Sequence, residues 1–96
     1  MSLMKGKKGL IMGVANERSI AWGISQKLSE SGAKLAFTYL GDALKKRVVP
    51  LAEKLNSKLT FSCDVEKKED IIKLFENIKS SWGEIDFVVH AIAFSD

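Results

Sequence analysis

At 96 residues the chain is long enough for one small domain and no more. Hydrophobic residues make up 46% and charged residues 28%, the balance of a globular protein and not of a disordered or fibrous one. The net charge is only +3, with a pI of about 9.1, and the lysines are scattered instead of gathered with aromatics on one face, which argues against nucleic acid as a partner.

The first residues, Met4-Lys5-Gly6-Lys7-Lys8, are basic like the start of a signal peptide. The apolar run that follows is too short for one and breaks at Gly13, and no later segment is long enough to span a membrane. A cytoplasmic protein without a membrane partner is therefore expected. The run from about Lys8 to Met12 suits a central parallel strand. Gly13 to Ser19 then forms a small-residue loop, and a helix is expected from about Ile20 to Ser31, with Ile20, Ile24 and Leu28 recurring every four residues and Gly32 as its stop.

Lys34 to Tyr39 reads as a second strand and Leu40-Gly41-Asp42 as a turn, with Asp42 as a helix N-cap. Ala43 to Leu55 carries Leu44, Val48, Leu51 and Leu55 on one face, and Pro50 should kink or split this helix. Lys58 to Ser62 is a third strand, leading into Cys63-Asp64-Val65. Cys63 is the single cysteine, which excludes an internal disulfide and suits a reducing compartment; no evident base accompanies it as a nucleophile. The last helix has the clearest pattern: Ile71, Phe75, Ile78 and Trp82 at helical spacing, with Ile72 and Leu74 beside them. Glu66, Glu69 and Asp70 lie near its positive end, and Gly83 stops it. Ile85 to Val89 is a fourth strand, and His90-Ala91-Ile92-Ala93-Phe94-Ser95-Asp96 follows. Trp22 and Trp82 fall on apolar helix faces and are expected in the core.

Four strands alternating with three helices imply right-handed βαβ units. The fold class expected is α/β, a Rossmann-like doubly wound parallel sheet of order 3-2-1-4. In such sheets a ligand lies beyond the carboxyl ends of the strands, where the order reverses. Gly13, Tyr39, Asp64 and Ala91 all fall at such ends, which points to a dinucleotide. The turn after strand 1 should hold pyrophosphate: a glycine lets the backbone approach it, and the next helix presents free N–H groups and its positive dipole end. Ser19 either caps that helix or donates its hydroxyl to phosphate. The turn after strand 2 should face the adenosine ribose, where Asp42 is either an NAD-type carboxylate or a cap; no Lys or Arg precedes Lys45 and Lys46, which favours NADH. Asp64 either accepts a hydrogen bond from the adenine amino group, with the Val65 backbone over the ring, or is an ordinary turn aspartate. Ile92 presents backbone and an apolar side chain beyond strand 4. His90, the single histidine, reads as a hydrogen-bonded strand-end residue in preference to an acid–base group.

Gly13-Val14-Ala15-Asn16, then Ser19-Ile20-Ala21-Trp22-Gly23, resembles the modified glycine motif of the bacterial NADH-dependent enoyl-[acyl-carrier-protein] reductases of the short-chain dehydrogenase/reductase superfamily. Ordinary superfamily members have a compact Gly-x-x-x-Gly-x-Gly turn. Ala36-Phe37-Thr38-Tyr39, Cys63-Asp64-Val65 and His90-Ala91-Ile92-Ala93-Phe94 resemble the same family at matching spacing. The resemblance implies that Gly13, Ala15, Ser19 and Ile20 contact the pyrophosphate and ribose side of NADH, that Asp64 and Val65 hold adenine, and that Ile92 lies along the cofactor. Position 40 borders the adenosine; the family often has glutamine there, so Leu40 removes a polar contact. Ser95 falls where the substrate pocket begins.

The activity implied is hydride delivery from NADH to a trans-2-enoyl thioester carried by acyl-carrier protein, in a homotetramer when full length. The family's catalytic tyrosines and lysine lie beyond residue 96, so no catalytic residue is assigned in this chain, and no metal site is expected. Tyr39 and Lys46 have the superfamily's Tyr-x6-Lys spacing, but Tyr39 ends strand 2 on the adenosine side, so the spacing is read as chance. Residues 1–96 are thus expected to be the N-terminal, cofactor-binding part of a single Rossmann-like domain whose catalytic half is absent. Two alternatives stand beside this reading: another short-chain reductase acting on a carbonyl, and a nucleotide-binding fragment without catalysis.

Overall fold

The computed structural model describes residues 3–14 and 18–90. Four strands, β1 (Lys8–Met12), β2 (Lys34–Tyr39), β3 (Thr60–Ser62) and β4 (Phe87–His90), alternate with α1 (Ile20–Glu30), α2 (Asp42–Lys54) and α3 (Lys68–Trp82). All the pairings are parallel and the order is β3-β2-β1-β4, the Rossmann-like arrangement expected from the sequence. The reversal point lies between β1 and β4, which run side by side from Gly9 opposite Phe87 to Met12 opposite His90.

The two faces of the sheet bury separate cores. Ile11, Leu35 and Phe37 pack with Val14, Ala21 and Trp22 and with Val48, Leu51 and Ala52 of α2. On the other face Leu10, Met12 and Ala36 pack with Cys63 and with Leu74 and Ile78 of α3. The strict alternation of Leu10, Ile11 and Met12 between the cores follows from the two-residue period of a strand. A strand buried on both faces must be apolar throughout, which is why β1 shows no polar alternation. Trp22 is buried, and Trp82 packs half-buried against the second core.

The helices correct several expectations. The Ile20–Ile24 row of α1 does not face the sheet: Ile20 is 78% exposed, and the buried residues are Ala21, Trp22 and Ser25. Ala21, Ser25 and Leu28 form a neighbouring stripe whose first two members are small. A helix lying close over β1 and β2 buries them in place of the bulkier isoleucines. The Ser25 hydroxyl is satisfied within the helix by donating to the Ala21 carbonyl at 2.7 Å. In α3 the buried pair is Leu74 and Ile78, with Ile71 and Trp82 beside it, while Phe75 is 41% exposed.

Pro50 neither breaks nor splits α2, which runs from Asp42 to Lys54. Pro50 lies on the exposed side, where water can serve the Lys46 carbonyl that loses its helical donor. Asp42 is the first helical residue, not the cap; Gly41 holds the cap position at φ +85° with no side-chain hydrogen bond.

Two strands begin later than expected because side chains take over the ladder. The Ser57 hydroxyl donates to the Leu35 carbonyl at 2.6 Å, anchoring the approach to β3 before its pairing starts at Thr60. At the entry to β4 the Asp86 carboxylate accepts the Lys8 N–H at 2.7 Å, and the Asp86 N–H donates to the Lys8 carbonyl at 2.7 Å. This two-point latch fixes β4 against β1 and so sets the crevice between them.

Candidate functional site

The carboxyl ends of β1, β2 and β3 each finish in a turn whose geometry differs from an ordinary connection. At the end of β1, Gly13 has φ +108°, a left-handed backbone conformation that a side chain would strain. Gly13 is exposed, whereas Val14 turns back into the first core. Ala15 lies outside the described residues.

The chain re-enters at Arg18 and Ser19 and starts α1. Ser19 is extended (φ −69°, ψ 147°), and its Oγ accepts the Trp22 N–H at 3.3 Å while its carbonyl accepts the same N–H at 3.1 Å. The capping role is therefore realised. A hydroxyl can accept and donate at once, so the cap does not exclude a phosphate contact. The first turn of α1 carries no acidic residue, whereas α2 has Asp42 there and α3 has Glu69 and Asp70. The positive end of α1 is thus left unneutralised by its own side chains, next to an exposed left-handed glycine. That combination suits an anion such as a diphosphate, and Gly13, Ser19 and the exposed start of α1 at Ile20 fit one.

At the end of β2, Tyr39 packs against the first core, and Leu40 follows with 53% of its surface exposed. Lys46 is exposed on α2. The Tyr-x6-Lys spacing therefore joins a core-facing strand end to an outer helix face. Leu40, Gly41 and Asp42 border the same carboxyl edge as Gly13, and Leu40 presents apolar surface there.

The end of β3 is the most closely tied. The Cys63 N–H donates to the Tyr39 carbonyl at 2.9 Å, which extends the β2–β3 pairing past the strand. Cys63 is buried, and its thiol is pushed above the ordinary value of 9.0 by burial first, then by the nearby carboxylates of Asp70 and Asp64. A thiol held protonated in this way is a packing group and not a nucleophile. Asp64 is half-buried and folds a tight turn: its Oδ1 accepts the Glu66 N–H at 3.0 Å and its carbonyl accepts the Lys67 N–H at 2.9 Å. Val65 is exposed at the tip of this turn.

His90 ends β4, exposed and in register with Met12. Ile92 and Ser95 lie outside the described residues. Sequence reasoning missed Asp70 and Asp86 as structural carboxylates. The signal for Asp70 was available, since it follows Asp64 by six residues and opens a helix; nothing in the sequence marked Asp86.

A concave region lies elsewhere on the sheet. About 350 Å³ lies at the amino ends of β2 and β3, lined by Ser29, Lys34, Asn56, Ser57, Lys58 and Trp82 among others. The C-terminal ends of α1, α2 and α3 line it through Ser29, Leu55 and Trp82, so helix dipoles turn their negative ends toward it, and in doubly wound sheets ligands bind at the opposite edge. Among the described residues no group of three His, Cys, Asp or Glu side chains is placed to hold a metal.

A family model described as Enoyl-(Acyl carrier protein) reductase matches residues 13–96. The chain belongs to this family of reductases. Within the family it is similar to the protein named Enoyl-[acyl-carrier-protein] reductase [NADH] 1 of Rhizobium meliloti (strain 1021), 58% identical over 94 residues, which are 98% of this chain and 35% of that protein. Among solved structures it is similar to FabI of Candidatus Liberibacter asiaticus (TM-score 0.96, 52% identity, 100% of this chain and 37% of that one). It is also similar to the reductase of Anaplasma phagocytophilum solved in complex with NAD (TM-score 0.91, 54% identity, 98% of this chain and 36% of that one). The chain thus spans about a third of the length of these reductases.

Proposed function

We propose that this chain supplies the dinucleotide-binding part of an NADH-dependent enoyl-acyl-carrier-protein reductase of fatty-acid elongation. The observation that carries the reading is the convergence, on the carboxyl edge of a β3-β2-β1-β4 sheet, of a left-handed Gly13, an α1 start without acids and the Asp64 turn. The names of the similar reductases, and the NAD in one solved structure, support NADH as the cofactor.

In this reading Gly13, Ala15, Ser19 and Ile20 hold the diphosphate and its neighbouring ribose by backbone N–H groups, the α1 dipole and the Ser19 hydroxyl. Leu40 borders the adenosine. Asp64 accepts from the adenine amino group, with Val65 over the ring, and Ile92 lies along the cofactor beyond β4. Ser95 opens the substrate pocket. The cofactor, when bound, supplies hydride to the β-carbon of the enoyl thioester. This chain's own residues bind and orient it, and residues 1–96 form the cofactor-binding part of a single domain, with the proton-handling groups outside them. The complete enzyme is read as a cytoplasmic homotetramer. No helix among the described residues is long and apolar enough to cross a membrane.

The test is NADH oxidation by the intact gene product with a trans-2-enoyl thioester and, in parallel, a 3-ketoacyl thioester. Turnover of the enoyl substrate with little of the other supports the reading. Turnover of the ketoacyl substrate alone assigns a carbonyl reductase, and NADH binding without turnover of either assigns a non-catalytic module.

A further inference from the structure

Asp70 stands in the first turn of α3, half-buried, and its side chain reaches back six residues instead of out to solvent. Its Oδ2 accepts the Asp64 N–H at 2.9 Å. Asp64 in turn spends its Oδ1 on the Glu66 N–H and its carbonyl on the Lys67 N–H. Every polar group of Asp64 except Oδ2 is thereby engaged, and the turn is held from both sides. On the far side the Cys63 N–H is fixed to Tyr39 of β2. The orientation of Oδ2 therefore depends on one anchor that is not backbone, the Asp70 carboxylate.

We infer that Asp70 is a positioning residue for adenine recognition, aligning the Asp64 carboxylate toward the exocyclic amino group through the Asp64 amide. The inference rests on the dinucleotide reading above and on Asp64 as the adenine acceptor. An anionic oxygen on a backbone N–H makes a strong, short hydrogen bond. The positive end of α3 also favours a carboxylate at this position, and the anchor is in place without cofactor. Asp70 touches no part of the cofactor; it acts only through Asp64.

The probe pair is NADH and its purine-riboside analogue, which carries hydrogen in place of the adenine amino group. Binding of each is measured by fluorescence with the intact gene product as wild type, D70A, D70S and D70N, alongside thermal unfolding. Wild type should prefer NADH by roughly tenfold, the worth of one hydrogen bond to a charged acceptor. D70A should lose most of that preference, so that the two cofactors bind within about twofold of each other, by weakening NADH and not by strengthening the analogue. D70S, whose hydroxyl is one bond shorter, should behave like D70A and serves if D70A does not fold. D70N keeps an oxygen acceptor and should retain the preference.

A merely structural role for Asp70 would weaken both cofactors alike, with the ratio unchanged, and that result overturns the inference. Full preference in D70A or D70S overturns it too. A wild type that binds both cofactors equally overturns the adenine role of Asp64 and this inference with it, while NADH binding stands. A wild type that binds neither overturns the dinucleotide reading itself.

Discussion

Replacing Gly9 by alanine should destabilise the protein, against the usual direction for such a change. A glycine inside a strand costs about 0.5–1 kcal/mol relative to alanine, because it loses more backbone freedom on folding. Gly9 has no left-handed backbone to protect, so on that ground alone G9A would stabilise. The Phe87 ring decides otherwise. A Cβ built on Gly9 would lie 2.6 Å from Cδ2 of Phe87 and closer still to Cε2 and Cζ. Gly9 and Phe87 are register partners of β1 and β4, and one edge of the ring occupies the gap the glycine leaves. The alanine methyl and the ring cannot share that space. Displacing a half-buried aromatic costs on the order of 1–3 kcal/mol, as for other overpacked sites. The net expectation is a loss centred on about 1 kcal/mol, and no more than about 2.5, after the propensity gain is subtracted. Urea unfolding followed by the fluorescence of Trp22 and Trp82 reads this as a lower midpoint at unchanged slope. In an F87A background the same substitution should turn neutral or stabilising, because the clash is gone. Equal cost of G9A with and without the Phe87 ring would refute the reasoning.

Three further outcomes follow from single side chains. S57A should cost about 1–3 kcal/mol in urea unfolding, since it leaves the buried Leu35 carbonyl without its donor at the entry to β3. S19A should lower stability by about 1 kcal/mol through loss of the α1 cap, and S19N should restore it; both are read from thermal unfolding. Cys63 makes stability fall at alkaline pH. Its thiol pKa is raised in the folded state, so above the ordinary value of 9.0 the unfolded chain releases a proton that the folded chain keeps. Unfolding is then favoured as pH rises through that range, and C63A should remove this part of the decline in a pH series of unfolding midpoints.

The strand–helix alternation was legible because both periods are strong here. β1 and β2 are continuous apolar runs, and α2 carries Val48 and Leu51 on one face as its spacing required. Gly13 as the residue where the backbone leaves β1, and Ser19 as a candidate cap, could also be read directly, since few residues serve at such positions. The face of α1 could not. Hydrophobicity favours the Ile20–Ile24 row, but close packing on the sheet selects Ala21 and Ser25 for their size, which no hydropathy pattern encodes. The same holds for Pro50, whose effect depends on whether the carbonyl it orphans faces water. The starts of β3 and β4 were hidden because Ser57 and Asp86 pair with backbone across 22 and 78 residues of sequence. At the site, the types of residue at each strand end were evident, whereas the tie from Asp70 to Asp64 needed the turn to be seen folded.

The most direct test of the account is a map of backbone amide shifts on addition of NADH to the isotope-labelled protein. Changes gathered at Gly13, Ser19, Ile20, Asp64 and Val65, with the residues around Lys34 and Ser57 unmoved, are the predicted result. Changes centred on the amino-end cavity of Ser29, Asn56 and Lys58, or none at saturating NADH, would contradict it.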